Sequence, residues 1–350
     1  VRRTPLVAAA LTALVSLACT STPAGTSPGD ASADASATAV RASAGAREVP
    51  DDRRVLAISV DGLNPAALDR LGRGRTPVLH RLLAEGASTR NARTARELTL
   101  TLPNHTGMVT GRRVDASRGG HGVTWNDHRP RTTVQRAAGH GVASVFSVVH
   151  AAGGESSVFT GKDKFTLFDR SWPAGVTDLT YDEDPLALVK AARRDLRREG
   201  RALTFVHLAT PDVAGHEHGF MSRPYLEAVA TTDALVGRLV RAIEADGELR
   251  GEVVVVLTAD HGGKGRGHYD AGRLADFRVP FLVWGPGIAP ADLYGLNPDR
   301  RAPGRSRTSY AGSQPVRNGD LANVVTGLLG LDPVPGSEFG VDDPLDVAAD

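Results

Sequence analysis

Cysteine occurs once in the 350 residues, at Cys19, so the chain has no internal disulfide. Its fold has to rest on a hydrophobic core and on any metal it binds. Aromatic residues are scarce as well, at 5%, which argues against stacking platforms for single-stranded nucleic acid. Neither sign of charge dominates, since 41 Lys and Arg face 40 Asp and Glu. That balance excludes the basic footprint of a nucleic-acid-binding surface and an acidic interaction tail. The apolar stretch from Leu6 to Ala18 falls short of the roughly 20 residues that span a bilayer as a helix. The whole sequence is 41% hydrophobic and 23% charged, the make-up of an ordinary globular protein. The length suffices for one large α/β domain or two small ones.

The first segment reads as an address. Arg2 and Arg3 precede the apolar stretch, which ends at Ser16-Leu17-Ala18-Cys19. Residues 1–19 therefore resemble a bacterial lipoprotein signal, with Cys19 as the lipidated new N-terminus, although Ser16 stands where that signal prefers Leu. An ordinary secretory signal with an incidental cysteine is the alternative, and export follows from both. Residues 20–52 are mostly Ala, Ser, Thr, Gly and Pro, with too few large apolar side chains to offset ordering entropy. They read as a flexible tether between a membrane surface and a folded domain over 53–336. Residues 337–350 are left as a C-terminal tail.

Inside the domain, apolar and β-branched runs recur at Val55 to Val60, Val142 to Val149, Leu203 to Leu208, Val253 to Thr258 and Val279 to Trp284. Helical patterns lie between them. Pro65 to Leu71, Pro77 to Glu85 and Pro185 to Glu199 each carry Pro near the start, and Tyr225 to Ala245 and Leu321 to Leu329 follow. Strands alternating with helices imply a mostly parallel sheet covered on both faces. No internal repeat is present.

Several of these strands lead into the same chemistry. Asp61 directly follows the first, Asp212 and His216 come shortly after the run at Leu203, and Asp260-His261 come just after Val253 to Thr258. Ligands of open α/β sheets sit outside the carboxyl ends of the strands. One such Asp is common in turns. Three with two histidines make the donor inventory of a metal site.

The segment Leu98-Thr99-Leu100-Thr101-Leu102-Pro103-Asn104-His105 resembles the nucleophile motif of the type I phosphodiesterase/nucleotide pyrophosphatase family, within the alkaline phosphatase superfamily. Thr110-Gly111, the stretch His121 to Asn126, Asp61-Gly62, Asp212-x-x-x-His216, Thr258 to Gly262, and Arg317 to Gly336 match the family's other motifs in chain order. The resemblance implies a three-layer α/β/α sandwich like alkaline phosphatase, with a small cap inserted around residues 151–184. It further implies two Zn²⁺ ions, one on Asp212, His216 and His268, the other on Asp61, Asp260, His261 and the Thr101 oxygen. Carboxylate and imidazole donors at about four coordinates suit zinc. Thr101 becomes the nucleophile and Asn126 the oxyanion donor. The amides opening a short helix at Thr101 are expected to face the phosphoryl oxygens. The implied partner is a small-molecule phosphate ester.

The individual residues have plainer readings: Asp61-Gly62 as a turn, Asp212 and His216 as a helix cap and a surface histidine, Asn126 as a loop amide. His268, only seven residues after His261, needs the glycines between them to bring it back. His105 and His121 read as structural, and His207 and His218 stay open. Family members acting on nucleotides stack the base between two aromatics, at positions held here by Leu102 and His207. That departure speaks against a nucleotide preference. A phosphomonoesterase or phosphonate hydrolase on the same core is the nearest alternative, with Lys162, Lys164, Lys264 and Arg266 as the extra positive charge. The series Thr101, Pro103, His105 disfavours a sulfatase. A non-catalytic envelope lipoprotein on the same fold is the rival from another class.

Overall fold

A computed structural model describes residues 47–348; the signal, Cys19 and most of the tether expected from the sequence lie outside the described residues. Eight strands of the described chain form one sheet: β1 (Arg54–Val60), β2 (Ala87–Arg93), β3 (Ser156–Thr160), β4 (Asp178–Tyr181), β5 (Leu203–Leu208), β6 (Val253–Thr258), β7 (Arg278–Trp284) and β8 (Ala291–Asp292). Their order is β4-β3-β5-β1-β6-β7-β2-β8. Only β7 runs against its neighbours, with β6 on one side and β2 on the other.

β1 lies at the middle, with Val60 opposite Leu208 of β5 and Ser59 opposite Thr258 of β6. All residues of β5 and β6 are buried. A strand covered on both faces favours mostly apolar side chains, as in the Val253 to Leu257 run of β6. The covering helices fall into two packed groups. One comprises α1 (Pro65–Arg75, broken at Gly72), α2 (Pro77–Glu85), α5 (Pro185–Arg198) and α7 (Arg223–Glu244). The other comprises α3 (Thr101–Thr110), α4 (Val145–Ala151) and α8 (Leu321–Leu328). A further short helix, α6 (Thr210–His218), packs on α7. The three-layer sandwich expected from the sequence is the architecture found.

Two local expectations are corrected. The run Val142 to Val149 is not a strand: Ser144 and Ser147 form a reciprocal capping box that starts α4. Its buried residues Val145, Phe146 and Val149 follow a helical stripe. Residues 151–184 do not form a separate cap, because β3 and β4 from this stretch complete one edge of the sheet. Only the connection after β3 reaches over the strand ends. β2 escapes sequence reading because Ala87-Ser-Thr-Arg-Asn-Ala-Arg93 is mostly polar and its register shifts between Thr89 and Ala92.

The packed unit takes hold at Val49, whose N–H donates to Ala152 O at 3.1 Å. It runs past Gly336: Phe339, Leu345 and Val347 are buried, and Arg300 pairs with Asp343 at 2.7 Å. Among the described residues no helix is long and apolar enough to cross a membrane.

Helix α2 lacks a side-chain cap of its own at Thr76. Asp233, buried on α7, supplies one across the layer by accepting from Leu79 N at 2.7 Å and Val78 N at 3.2 Å. Asp233→Ala is expected to lower stability by about 1–2 kcal/mol, the usual worth of an N-cap. Urea unfolding measures the loss, and a variant as stable as the parent would remove this cap from the account.

Candidate active site

The three carboxylates converge because their strands are neighbours. Asp61 is the residue after β1, and Asp260 lies two residues past β6. Gly62, at φ +72°, turns the chain so that its N–H donates to Asp260 Oδ1 at 3.0 Å. The same turn comes so near α6 that a Cβ on Gly62 would lie 3.0 Å from Asp212 Cα. Asp212 sits in the first turn of α6, and His216 follows on the same face one turn later. His268 is brought back by a tight reversal in which Lys264 N donates to Gly267 O at 3.0 Å and Gly265 has φ +62°. Its ring then stacks on that of His261, centroids 3.5 Å apart. Thr101 opens α3 and is fully buried, with its Oγ1 3.4 Å from His261 Nε2.

The hydrogen bonds of the imidazoles settle which nitrogen is free. Nδ1 of His261 donates to Gly262 O (2.8 Å), that of His268 to Thr99 O (2.6 Å) and that of His216 to Arg266 O (3.0 Å). A carbonyl only accepts, so in neutral rings each Nε2 presents a lone pair inward. His216 Nε2 and His268 Nε2 stand 3.1 Å apart, and lie 3.4 and 3.6 Å from Asp212 Oδ1. His261 Nε2 lies 3.1 Å from Asp260 Oδ2 and 3.4 Å from Asp61 Oδ1. Asp61 Oδ1, Asp212 Oδ1 and Asp260 Oδ2 are buried without a hydrogen-bond partner. Orphaned acceptors facing lone pairs are costly unless a cation sits among them. They resolve into two groups able to hold metal: Asp212, His216 and His268, and Asp61, Asp260 and His261. The donor set fits the implied zinc ions.

The electrostatics make the same demand. Burial alone would depress His261, but Asp260, Asp212 and Asp61 raise its pKa to about 9. Burial lowers His268 to about 3, and the neighbouring His261 adds to that. Burial works to raise Asp61, yet Lys162, His207 and His261 hold it well below the usual carboxylate range.

Around these groups lies a supporting layer. His105 donates from Nδ1 to Thr101 O (2.8 Å) and meets Ser59 Oγ at Nε2 (2.7 Å), tying α3 to β1 as a structural histidine. His207 donates from Nε2 to Asp61 Oδ2 at 2.9 Å and stacks on Phe165 beneath the site. It and Leu102 are both buried, so neither offers a face to a base. His218 is exposed on α6, beside Glu217. Asn126 is half-buried, and its Oδ1 accepts from Leu102 N (2.9 Å) and Lys164 Nζ (3.0 Å). Both bonds fall on the oxygen, which directs the NH₂ elsewhere.

The helix-terminus expectation needs correction. Leu102 N is taken by Asn126, Pro103 has no N–H, and Asn104 N is bonded to Leu100 O. The dipole of α3 remains, but Leu102, Pro103 and Asn104 contribute no free amide to it. Sequence reasoning also missed Thr99 and Asn318. The Thr99 hydroxyl donates to His268 O. Asn318 Nδ2 spans Asn104 Oδ1 (3.3 Å), Ala259 O (3.2 Å) and Asp260 O (3.3 Å). Of the four basic residues proposed for a second phosphate charge, Lys162 and Lys164 are at the site, whereas Lys264 and Arg266 are exposed on the loop before His268.

Solved structures share this fold. Murine ectonucleotide pyrophosphatase/phosphodiesterase 5, as an inactive variant in complex with AMP, superposes with a TM-score of 0.64 at 15% identity, covering 85% of this chain and 100% of that one. A Vibrio parahaemolyticus protein of the alkaline phosphatase superfamily gives 0.58 at 14% identity over 86% of this chain and 71% of its own. By sequence, GPI ethanolamine phosphate transferase 1 of Mus musculus is 24% identical over 312 residues, 83% of this chain and 32% of the mouse protein. The chain spans about a third or less of the curated relatives it matches. The family model for type I phosphodiesterase/nucleotide pyrophosphatase matches residues 55–270, which is more than half of the sequence and holds every one of the converging carboxylates and imidazoles. The chain belongs to the type I phosphodiesterase/nucleotide pyrophosphatase family.

Proposed function

We propose that the protein is an exported, di-zinc enzyme that cleaves phosphodiester or pyrophosphate bonds through a phosphorylated Thr101. The observation that carries this reading is the buried Thr101 hydroxyl 3.4 Å from His261 Nε2, a nitrogen that itself lies beside the orphaned Asp61 and Asp260 oxygens. Asp212, His216 and His268 would hold one ion, and Asp61, Asp260, His261 and Thr101 the other. Bound zinc would supply Lewis acidity, making the hydroxyl nucleophilic near neutral pH and neutralising phosphoryl charge.

The chain's own residues do the rest. Thr101 Oγ attacks phosphorus and loses its proton as the new P–O bond forms, and the bond to the leaving alcohol or phosphate breaks in line with it. The dipole of α3 favours negative charge at that spot. The Asn126 NH₂, freed by the two bonds on its oxygen, is the neutral donor for a developing oxyanion. Water then attacks the same phosphorus, breaks the bond to Thr101 Oγ and releases the part of the substrate still carried on it as a phosphate monoester, returning the proton to Thr101. An acceptor alcohol in place of water would make the same enzyme a transferase, the activity in the name of the mouse relative. A cavity of about 440 Å³ beside the site, lined in part by Lys162, Tyr181, Thr210 and Val213, has room for the remainder of an ester. Lipidation at Cys19 and the 20–52 tether would hold this domain outside the cell at the membrane.

One observation favours a second reading. Lys164 Nζ, 3.0 Å from Asn126 Oδ1, puts a cation beside the oxyanion donor, which suits the dianion of a phosphate monoester.

Thr101→Ala is expected to stay folded and to lose roughly a thousandfold or more in turnover of an aryl phosphodiester, whereas Thr101→Ser retains measurable activity. Acid quenching with labelled substrate should trap phosphate on the peptide holding Thr101. Near-normal turnover in the alanine variant would mean direct attack by water.

Charge preference separates the two substrate readings. kcat/KM for an aryl phosphodiester should exceed that for the matching monoester, and the reverse order would promote the monoesterase. For the anchor, Cys19→Ser should move the protein from the membrane fraction to the medium in an expressing bacterium. Unchanged membrane association would show that Cys19 is not the attachment point.

A further inference from the structure

Lys162 lies two residues past β3, on the connection that reaches over the strand ends. Its ammonium is 2.6 Å from Asp61 Oδ2 and 2.6 Å from Asp212 Oδ2. One cation is thus shared by carboxylates belonging to the two different clusters. The oxygens it does not touch, Oδ1 of each, are the ones left without partners. Asp61 Oδ1 faces His261 Nε2 at 3.4 Å, and Asp212 Oδ1 faces His216 Nε2 at 3.4 Å. Burial works against the charge on Lys162, but Asp61 and Asp212 outweigh it and hold its pKa above the ordinary value.

Two roles are open to such a lysine, and the choice of oxygens separates them. An ammonium standing in for a metal would bond the oxygens that the imidazoles face. Lys162 bonds the opposite pair. We propose that Lys162 is a positioning residue, a brace across Asp61 and Asp212 that turns one oxygen of each toward its metal cluster and so sets both clusters together. The inference rests on the two-metal reading above. The adjoining residues extend the brace, since Asp163 pairs with His128 at 2.9 Å and Lys164 holds Asn126. Metal ligands held by such outer partners keep their orientation before the ion arrives.

The sign of one measurement decides. Removing a positive charge next to a cation site strengthens metal binding if charge is all that matters. Removing a brace weakens it, because Asp61 and Asp212 are then free to rotate and repel one another. The metal-stripped chain is titrated with Co²⁺, read by the visible absorption of the ion. Wild type should take up two ions. Lys162→Met should lose about tenfold or more in Co²⁺ affinity at both sites, the usual cost of an outer partner, with a changed absorption band reporting altered ligand geometry. Lys162→Arg, whose fork can reach both carboxylates, should recover most of the affinity. Lys264→Met, which removes the same charge from the exposed loop, should bind as wild type.

Affinity in Lys162→Met equal to or above that of wild type overturns the brace and makes Lys162 a competing cation. Should the methionine variant fail to fold by circular dichroism, Lys162→Gln keeps a donor for one carboxylate alone and is expected to weaken one site more than the other. Wild-type affinity at both sites in the glutamine variant likewise overturns the proposal. A wild-type chain that takes up no Co²⁺ refutes the two-metal reading itself, and the brace with it.

Discussion

Three carboxylates buried side by side are the constraint on which the rest of the structure depends. Asp61, Asp212 and Asp260 are all but inaccessible to solvent and crowd the carboxyl ends of the central strands, where their mutual repulsion is poorly screened. The surroundings are organised to offset that repulsion. Lys162 and His207 take the outer oxygen of Asp61, Gly62 N and His261 N take one oxygen of Asp260, and Lys162 takes one of Asp212. Each carboxylate keeps one oxygen in reserve, facing an imidazole Nε2. Stability and chemistry pull against each other here, and a bare apo site of this kind is less favourable than the same site with positive charge in it.

The framework was legible in the sequence where burial is complete. β1, β5 and β6 are mostly apolar and β-branched because both faces are covered, and the acidic residues at or soon after their ends stand out against such runs. Legibility fails where a strand sits near a sheet edge or carries polar residues, as in β2 and β4. It also fails where a short apolar run is equally compatible with either period. Val142 to Val149 is such a run, and only the Ser144–Ser147 box decides it.

The candidate site divides along the same line. The acidic and imidazole groups could be picked out because each belongs to a compact local motif. Thr99, Asn318 and the bridging geometry of Lys162 could not, because their partners lie 50 to 214 residues away and several are backbone carbonyls. A contact to a carbonyl leaves no residue-type signature at the partner position. His207, which the sequence left open, is settled by its surroundings: burial and its bond to Asp61 make it part of the floor.

The central place of β1 has a consequence for how such a site persists. Because Asp61 and the Asp260-His261 pair hang from adjacent strands, their separation is inherited from the pitch of a β-sheet, about 4.8 Å between neighbours. Backbone hydrogen bonding maintains that pitch whatever side chains cover it. The sheet therefore acts as a ruler that outlives its own sequence. Helices, loops and most surface residues can be rewritten without moving the graduations, which gives a physical basis for a shared fold at 15% identity.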